Sequence, residues 1–245
     1  MNNGIKKKLL LILIFASAMG MLEAVVVVYL RFMFYPGGFR FPLAVIPDSI
    51  AKAELLREIC TIIMLLALAW LAGKDKVQIF SFFLFSFAVW DIIYYAGLKL
   101  LLDWPQSFFT WDILFLIPIP WVGPVLAPLI ASFTMIILAL LFLFLTNRSI
   151  AFKANKKEWL LIYLGAAVIF VSFIWDYAQA FTVNHVSINI FSSGSRDSLN
   201  RIIAMYIPYQ FRWEIFWTGI LLVYLSMFLI IKRNTFVKLL PENNK

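Results

Sequence analysis

The feature that most constrains this chain is the length of its apolar runs. Six stand out, at residues 9–30, 50–71, 77–101, 125–145, 159–181 and 212–231. Each is close to the ~20 residues that a helix needs to cross ~30 Å of hydrocarbon. No water is available there to satisfy the backbone, so such runs fold as helices. The expected fold is therefore all-α: a polytopic membrane protein with six transmembrane helices, residues 1–245 forming a single integral membrane domain. Composition agrees. Hydrophobic residues make up 63% of the chain and charged residues 14%, against roughly 45–50% and 25% in soluble domains. A single cysteine, Cys60, excludes an internal disulfide and a cysteine-held iron–sulfur or zinc site. A single histidine, His185, excludes haem or metal ligation by paired histidines.

The net charge of +8 is organised for orientation rather than for nucleic acid. With the N-terminus placed in the cytoplasm, the inner segments carry Lys6–Lys8, Lys74, Lys76, Arg148, Lys153, Lys156, Lys157, Lys232, Arg233, Lys238 and Lys245. These are thirteen of the 21 basic residues, and the excess of Lys and Arg marks the cytoplasmic side. Both termini are expected inside, in a plasma (inner) membrane. Lys6–Lys8, the apolar stretch after them and Ala16-Ser17-Ala18 resemble a cleavable signal peptide. The apolar run continues through Val25 and Leu30, however, and the alternation of loop charge needs this first span, so the first helix is expected to be retained.

Prolines reinforce the asymmetry, since Pro241 alone falls on the inner side. The segment 103–123, before the fourth helix, is too apolar for a solvated loop and too rich in proline for a regular helix. It is expected to lie in the interface or to dip in as a re-entrant segment, which is tolerated only against protein or a wet cavity. The outer loop 184–210 is polar around 192–200.

Acidic residues carry the functional signal. Measured from the inner lysines at 1.5 Å per residue, Glu23 and Asp91 each lie about 22 Å outward, Glu58 about 24 Å and Glu54 about 30 Å. Asp176 and Glu214 lie about 27–29 Å outward on the same measure. Helices of opposite direction thus deliver carboxylates to one outer layer, and Asp112 joins them from the proline-rich segment. Charges inside a membrane are costly, so they face the bundle interior and mark a site. Glu54, Arg57 and Glu58 share one helix face, as do Asp91, Tyr94 and Tyr95, with Lys99 two turns outward. Tryptophan precedes an acid at Trp90-Asp91, Trp111-Asp112, Trp175-Asp176 and Trp213-Glu214. Trp104, Trp121 and Trp217 read as ordinary residues of the interfacial belt.

The pattern predicts a membrane enzyme acting on a lipid-borne or amphipathic substrate at the outer leaflet, by metal-assisted or acid/base chemistry. Glu23, Glu54, Glu58, Asp91, Asp176, Tyr94 and Tyr95 form the expected catalytic group. Arg57, Arg31, Lys99, Asp112, Trp90, Trp175 and Glu214 form the expected substrate-binding group. Glu58, Asp91 and Asp176 are the oxygen ligands available to a hard cation, Mg²⁺ or Mn²⁺. A cation- or proton-coupled transporter of small solutes is the second reading, weakened by the apolar inner halves of the helices. A non-catalytic assembly subunit is the third, weakened by the scatter of Gly20, Gly97, Gly165 and Gly219, which form no GxxxG motif.

Overall fold

The computed structural model describes residues 2–148, 154–183 and 205–239; His185 and the polar stretch 192–200 lie outside them. Six helices run through the described residues: α1 (Asn3–Phe34), α2 (Asp48–Ala72), α3 (Lys76–Leu102), α4 (Leu126–Arg148), α5 (Lys156–Val183) and α6 (Trp213–Leu239). All six are long and apolar enough to cross a membrane. Their outward surfaces suit no other solvent: Leu71 is 85% exposed, Trp70 72%, Leu160 64% and Phe228 61%, and contiguous apolar surface of this kind is rare on soluble monomers.

Local chemistry sets where the helices begin and turn. The Asn2 side chain accepts from the Ile5 N–H at the start of α1. Asp75 does the same for Val77 and Gln78 at the start of α3, satisfying N–H groups that a helix leaves open. Asn155 and Glu158 form a reciprocal capping pair on α5 (2.7 and 2.8 Å). The α2–α3 turn runs through Gly73, where an added Cβ would lie 2.5–2.8 Å from Ile79 atoms.

The tight helix pairs are α1 with α3, α3 with α4, and α5 with α6. Glycines let two of these approach closely. A Cβ on Gly20 would sit 2.5 Å from the Trp90 carbonyl of α3, and one on Gly97 would sit 2.7 Å from Ala24 of α1. Gly165 and Gly219 face one another across α5 and α6: a Cβ on Gly165 would lie 2.8 Å from the Gly219 carbonyl oxygen, and one on Gly219 2.7 Å from the Gly165 carbonyl oxygen. The four glycines that stand apart in sequence thus each sit at a close helix–helix approach, and Gly165 and Gly219 meet one another, in the small-residue packing that membrane helices favour.

At the lysine-rich end, the Lys8 ammonium donates to the Ala72 carbonyl at the end of α2 (2.5 Å). Arg233 of α6 donates twice to the Glu158 carboxylate of α5, both at 2.9 Å, and Ser226 donates to the Glu158 backbone carbonyl. Glu158 is 1% exposed.

The segment between α3 and α4 resolves into structure that hydropathy did not foresee. Strands β1 (Trp111–Phe115) and β2 (Trp121–Pro124) form an antiparallel hairpin. Asp112 lies opposite Gly123 and Ile113 opposite Val122, with a register shift before Phe115 and Trp121. Val122 is fully buried. Trp121 stacks on Phe173 of α5 (5.0 Å from Phe170, 6.0 Å from Phe173). Phe115 meets Trp90 of α3 (6.2 Å). Aromatic burial against two helices, rather than a long ladder, holds this short hairpin.

Candidate functional site

An acidic cavity of about 310 Å³ opens between α1, α2, the strand β1 and the loop that joins α1 to α2. Its α1 wall is Glu23, Val27, Leu30, Arg31 and Phe34, residues three to four apart and therefore on one helix face. Its α2 wall is Asp48, Ala51, Glu54, Arg57 and Glu58. Tyr94 of α3, Tyr177 of α5 and residues Asp112–Leu116 of the hairpin complete it. Seven of the residues expected in a site, Glu23, Glu54, Glu58, Arg57, Arg31, Tyr94 and Asp112, therefore line one space.

Two arginines organise the charge. Arg57 is clasped by Glu54 on its own helix, with Nε and Nη2 at 2.9 and 2.8 Å from Oε2. Its Nη1 also pairs with Glu23 of α1, so one guanidinium joins α1 to α2. Arg31 donates from Nη2 to Asp112 Oδ1 at 3.2 Å. The same guanidinium carbon sits 3.7 Å from the Trp104 ring centroid and 4.5 Å from that of Phe39, a cation–π cradle. Arg31 and Asp112 are 7% and 2% exposed. Arg31 Nη1, Asp112 Oδ2 and the Tyr95 hydroxyl are all buried and have no hydrogen-bond partner among the described residues. Such atoms cost ~1–3 kcal/mol each unless a ligand or water reaches them.

Glu58 differs from Glu23, Glu54 and Asp112, which are all ion-paired. Among the described residues it makes no ion pair, and both its oxygens accept from the Leu116 N–H of the hairpin, at 3.1 and 2.9 Å. Asp112, on the hairpin outside the spanning helices, is pushed up to about 6 by burial, against the opposing pull of Arg31.

The remaining expected residues are not brought to this cavity. Asp91 lines a second, apolar chamber and accepts from Ser132 of α4 (2.8 Å); Trp90 lines the same chamber. Asp176 accepts from the Tyr206 hydroxyl (2.7 Å), whose own ionisation burial pushes above the ordinary tyrosine range. Trp175 is 37% exposed on the outside of α5. Lys99 pairs with Asp103 at 2.7 Å, both exposed. Glu214 is exposed and stands 3.6 Å from Arg212. Glu58, Asp91 and Asp176, the three acids considered as a metal set, therefore occupy three different neighbourhoods. Among the described residues no group of three His, Cys, Asp or Glu side chains is placed to hold a metal ion.

Several contributors escape sequence reasoning. Trp104 and Trp121 read as belt residues, yet Trp104 cradles Arg31 and Trp121 lines the second chamber. Leu116 acts through its backbone, and Asp48 enters from the first turn of α2. Only the segment's excess of aromatic residues signalled a packed element there.

Compared with family models, curated proteins and solved structures, the chain matches none. The class defined by the fold is a multi-pass helical membrane protein.

Proposed function

We propose that this protein is an enzyme of the plasma (inner) membrane, with both termini cytoplasmic, acting at the outer leaflet on a lipid-borne or amphipathic substrate. The hairpin lies at the outer interface and roofs the site. The observation that carries this reading is the convergence of Glu23, Glu54, Glu58 and Asp112 with two arginines on one cavity whose remaining lining is largely apolar. A polar substrate group meets the charged wall, while its hydrocarbon part meets Val27, Leu30, Phe34 and the lipid beyond.

Roles follow from the partners. Glu58 is the acid least committed to a cation, held by one backbone N–H, and it serves as the proton acceptor and donor. Arg31 keeps an unused Nη1 inside a rigid aromatic cradle, which suits it to orient an anionic or carbonyl oxygen of the substrate. The Tyr94 hydroxyl stands by as donor to charge that develops on that oxygen. Arg57 with Glu23 and Glu54 fixes the spacing of the two helical walls. Acid/base chemistry is favoured over the metal-assisted form because Glu58, Asp91 and Asp176 do not gather.

The test is reconstitution of the purified chain with a total bacterial-type lipid extract, followed by mass spectrometry of the lipids. Wild type converts at least one lipid species, and Glu58→Gln, folded to the same thermal midpoint, converts it at least 100-fold more slowly, the range of a lost general acid–base group. Equal conversion by Glu58→Gln, or uptake of a solute driven by a cation gradient without lipid conversion, overturns the reading.

A further inference from the structure

The second chamber, also about 310 Å³, lies where the α5–α6 pair meets α3 and α4. The two sides touch at both ends. Toward the lysine-rich end Trp159 of α5 packs on Phe80 of α3 and Phe142 of α4 (5.0 and 5.6 Å). Toward the hairpin Trp121 packs on Phe170 and Phe173. Between these bridges the chamber walls are almost wholly hydrocarbon and aromatic, among them Phe83, Phe87, Met135 and Ala166.

Of the polar groups on this lining, Ser132, Thr134 and Trp121 already donate to Asp91, the Ile130 carbonyl and the Ile117 carbonyl, whereas Trp90 and Asp91 keep unused capacity. Trp90 is 5% exposed, and its Nε1 donor is buried without a partner among the described residues. Asp91, next to it in the chain, takes a hydrogen bond from Ser132 on Oδ2 only and remains partly accessible. An empty N–H donor and an open carboxylate oxygen on one apolar chamber select the group that satisfies both. An ammonium would leave the indole N–H unmet, and a carboxylate would be repelled by Asp91. A hydroxyl accepts from the first and donates to the second.

We propose that this chamber binds the apolar chain of a hydroxyl-bearing lipid, with the hydroxyl held between Trp90 and Asp91. The occupant is a lipid because the chamber sits within the span of α3, α4 and α5, among helices whose outer faces meet hydrocarbon. The site is separate from the acidic cavity and does not depend on the catalytic reading.

Photolabelling of the full chain in lipid nanodiscs tests it. The probes are a long-chain primary alcohol carrying a mid-chain diazirine and the alkane of equal length with the same diazirine. The alcohol labels residues of the chamber, Phe87 or Phe170 among them, about tenfold more strongly than the alkane, the effect of a hydrogen bond made in apolar surroundings. Trp90→Phe, which keeps the ring and removes the donor, lowers that preference to threefold or less. Ala131→Phe and Ala166→Phe, which fill the chamber from α4 and from α5, each abolish chamber labelling, so the result does not rest on one variant folding. Equal labelling by alcohol and alkane, persistence of labelling in both filled variants, or labels confined to outward residues such as Leu225 and Phe228 overturns the proposal.

Discussion

Arg31 and Asp112 are joined by a 3.2 Å hydrogen bond that ties α1 to the hairpin across 81 positions of sequence. The pair is buried on both sides, and its arginine is gripped by Trp104 and Phe39. Removing one partner of a buried ion pair leaves the other charge uncompensated, at ~3–5 kcal/mol. Arg31→Ala is expected to lower the thermal midpoint in detergent accordingly. Arg31→Lys is expected to rescue little of it, because an ammonium neither stacks as a plane nor spreads its donors in a fork.

The same aspartate gives a pH signature. Its carboxyl is raised in the folded chain from 3.8 to about 6, so the folded state holds its proton more tightly than the unfolded state does. The stabilisation is complete below about pH 4 and is lost as pH rises through about 6. Asp112→Asn removes this dependence. The difference between wild-type and variant thermal midpoints is expected to change sign or size between pH 4.5 and 7.5, with wild type relatively better at the acidic end. Parallel curves would show that Asp112 does not titrate there.

Arg57 balances Glu23 and Glu54. Arg57→Gln alone leaves two carboxylates facing each other between α1 and α2 and is expected to destabilise the bundle by ~3 kcal/mol or more. Adding Glu23→Gln and Glu54→Gln to it is expected to recover most of that loss, and thermal unfolding of the single, double and triple variants reads the coupling directly.

Gly165 and Gly219 meet backbone to backbone. Gly165→Ala or Gly219→Ala is expected to force α5 and α6 apart and cost ~1–3 kcal/mol. Gly37→Ala, where an added Cβ meets nothing within 4 Å, is expected to stay within ~0.5 kcal/mol.

The six spans were legible because hydrocarbon thickness dictates a run length that any window detects, and the structure has the expected six helices. Of the acids that rise per residue assigned to an outer layer, Glu23, Glu54 and Glu58 line the acidic cavity. Direction around the helix axis was not legible. Asp91 and Tyr94 are one turn apart and read as one face, yet Tyr94 lines the acidic cavity and Asp91 the apolar chamber. A broad helix face spans two neighbours when a third element divides them. That divider, the hairpin, was illegible because its strands are four and five residues long and its aromatic residues fit an interfacial belt equally well. The glycine contacts were hidden for a similar reason, as each close approach is made between helices and leaves no spacing within one.

Leu114 and Phe115 belong to the linings of both the acidic cavity and the apolar chamber. A single strand thus serves as a party wall. Whatever swells one room crowds the other, so two occupants of this protein would negotiate over the same pair of side chains without ever touching.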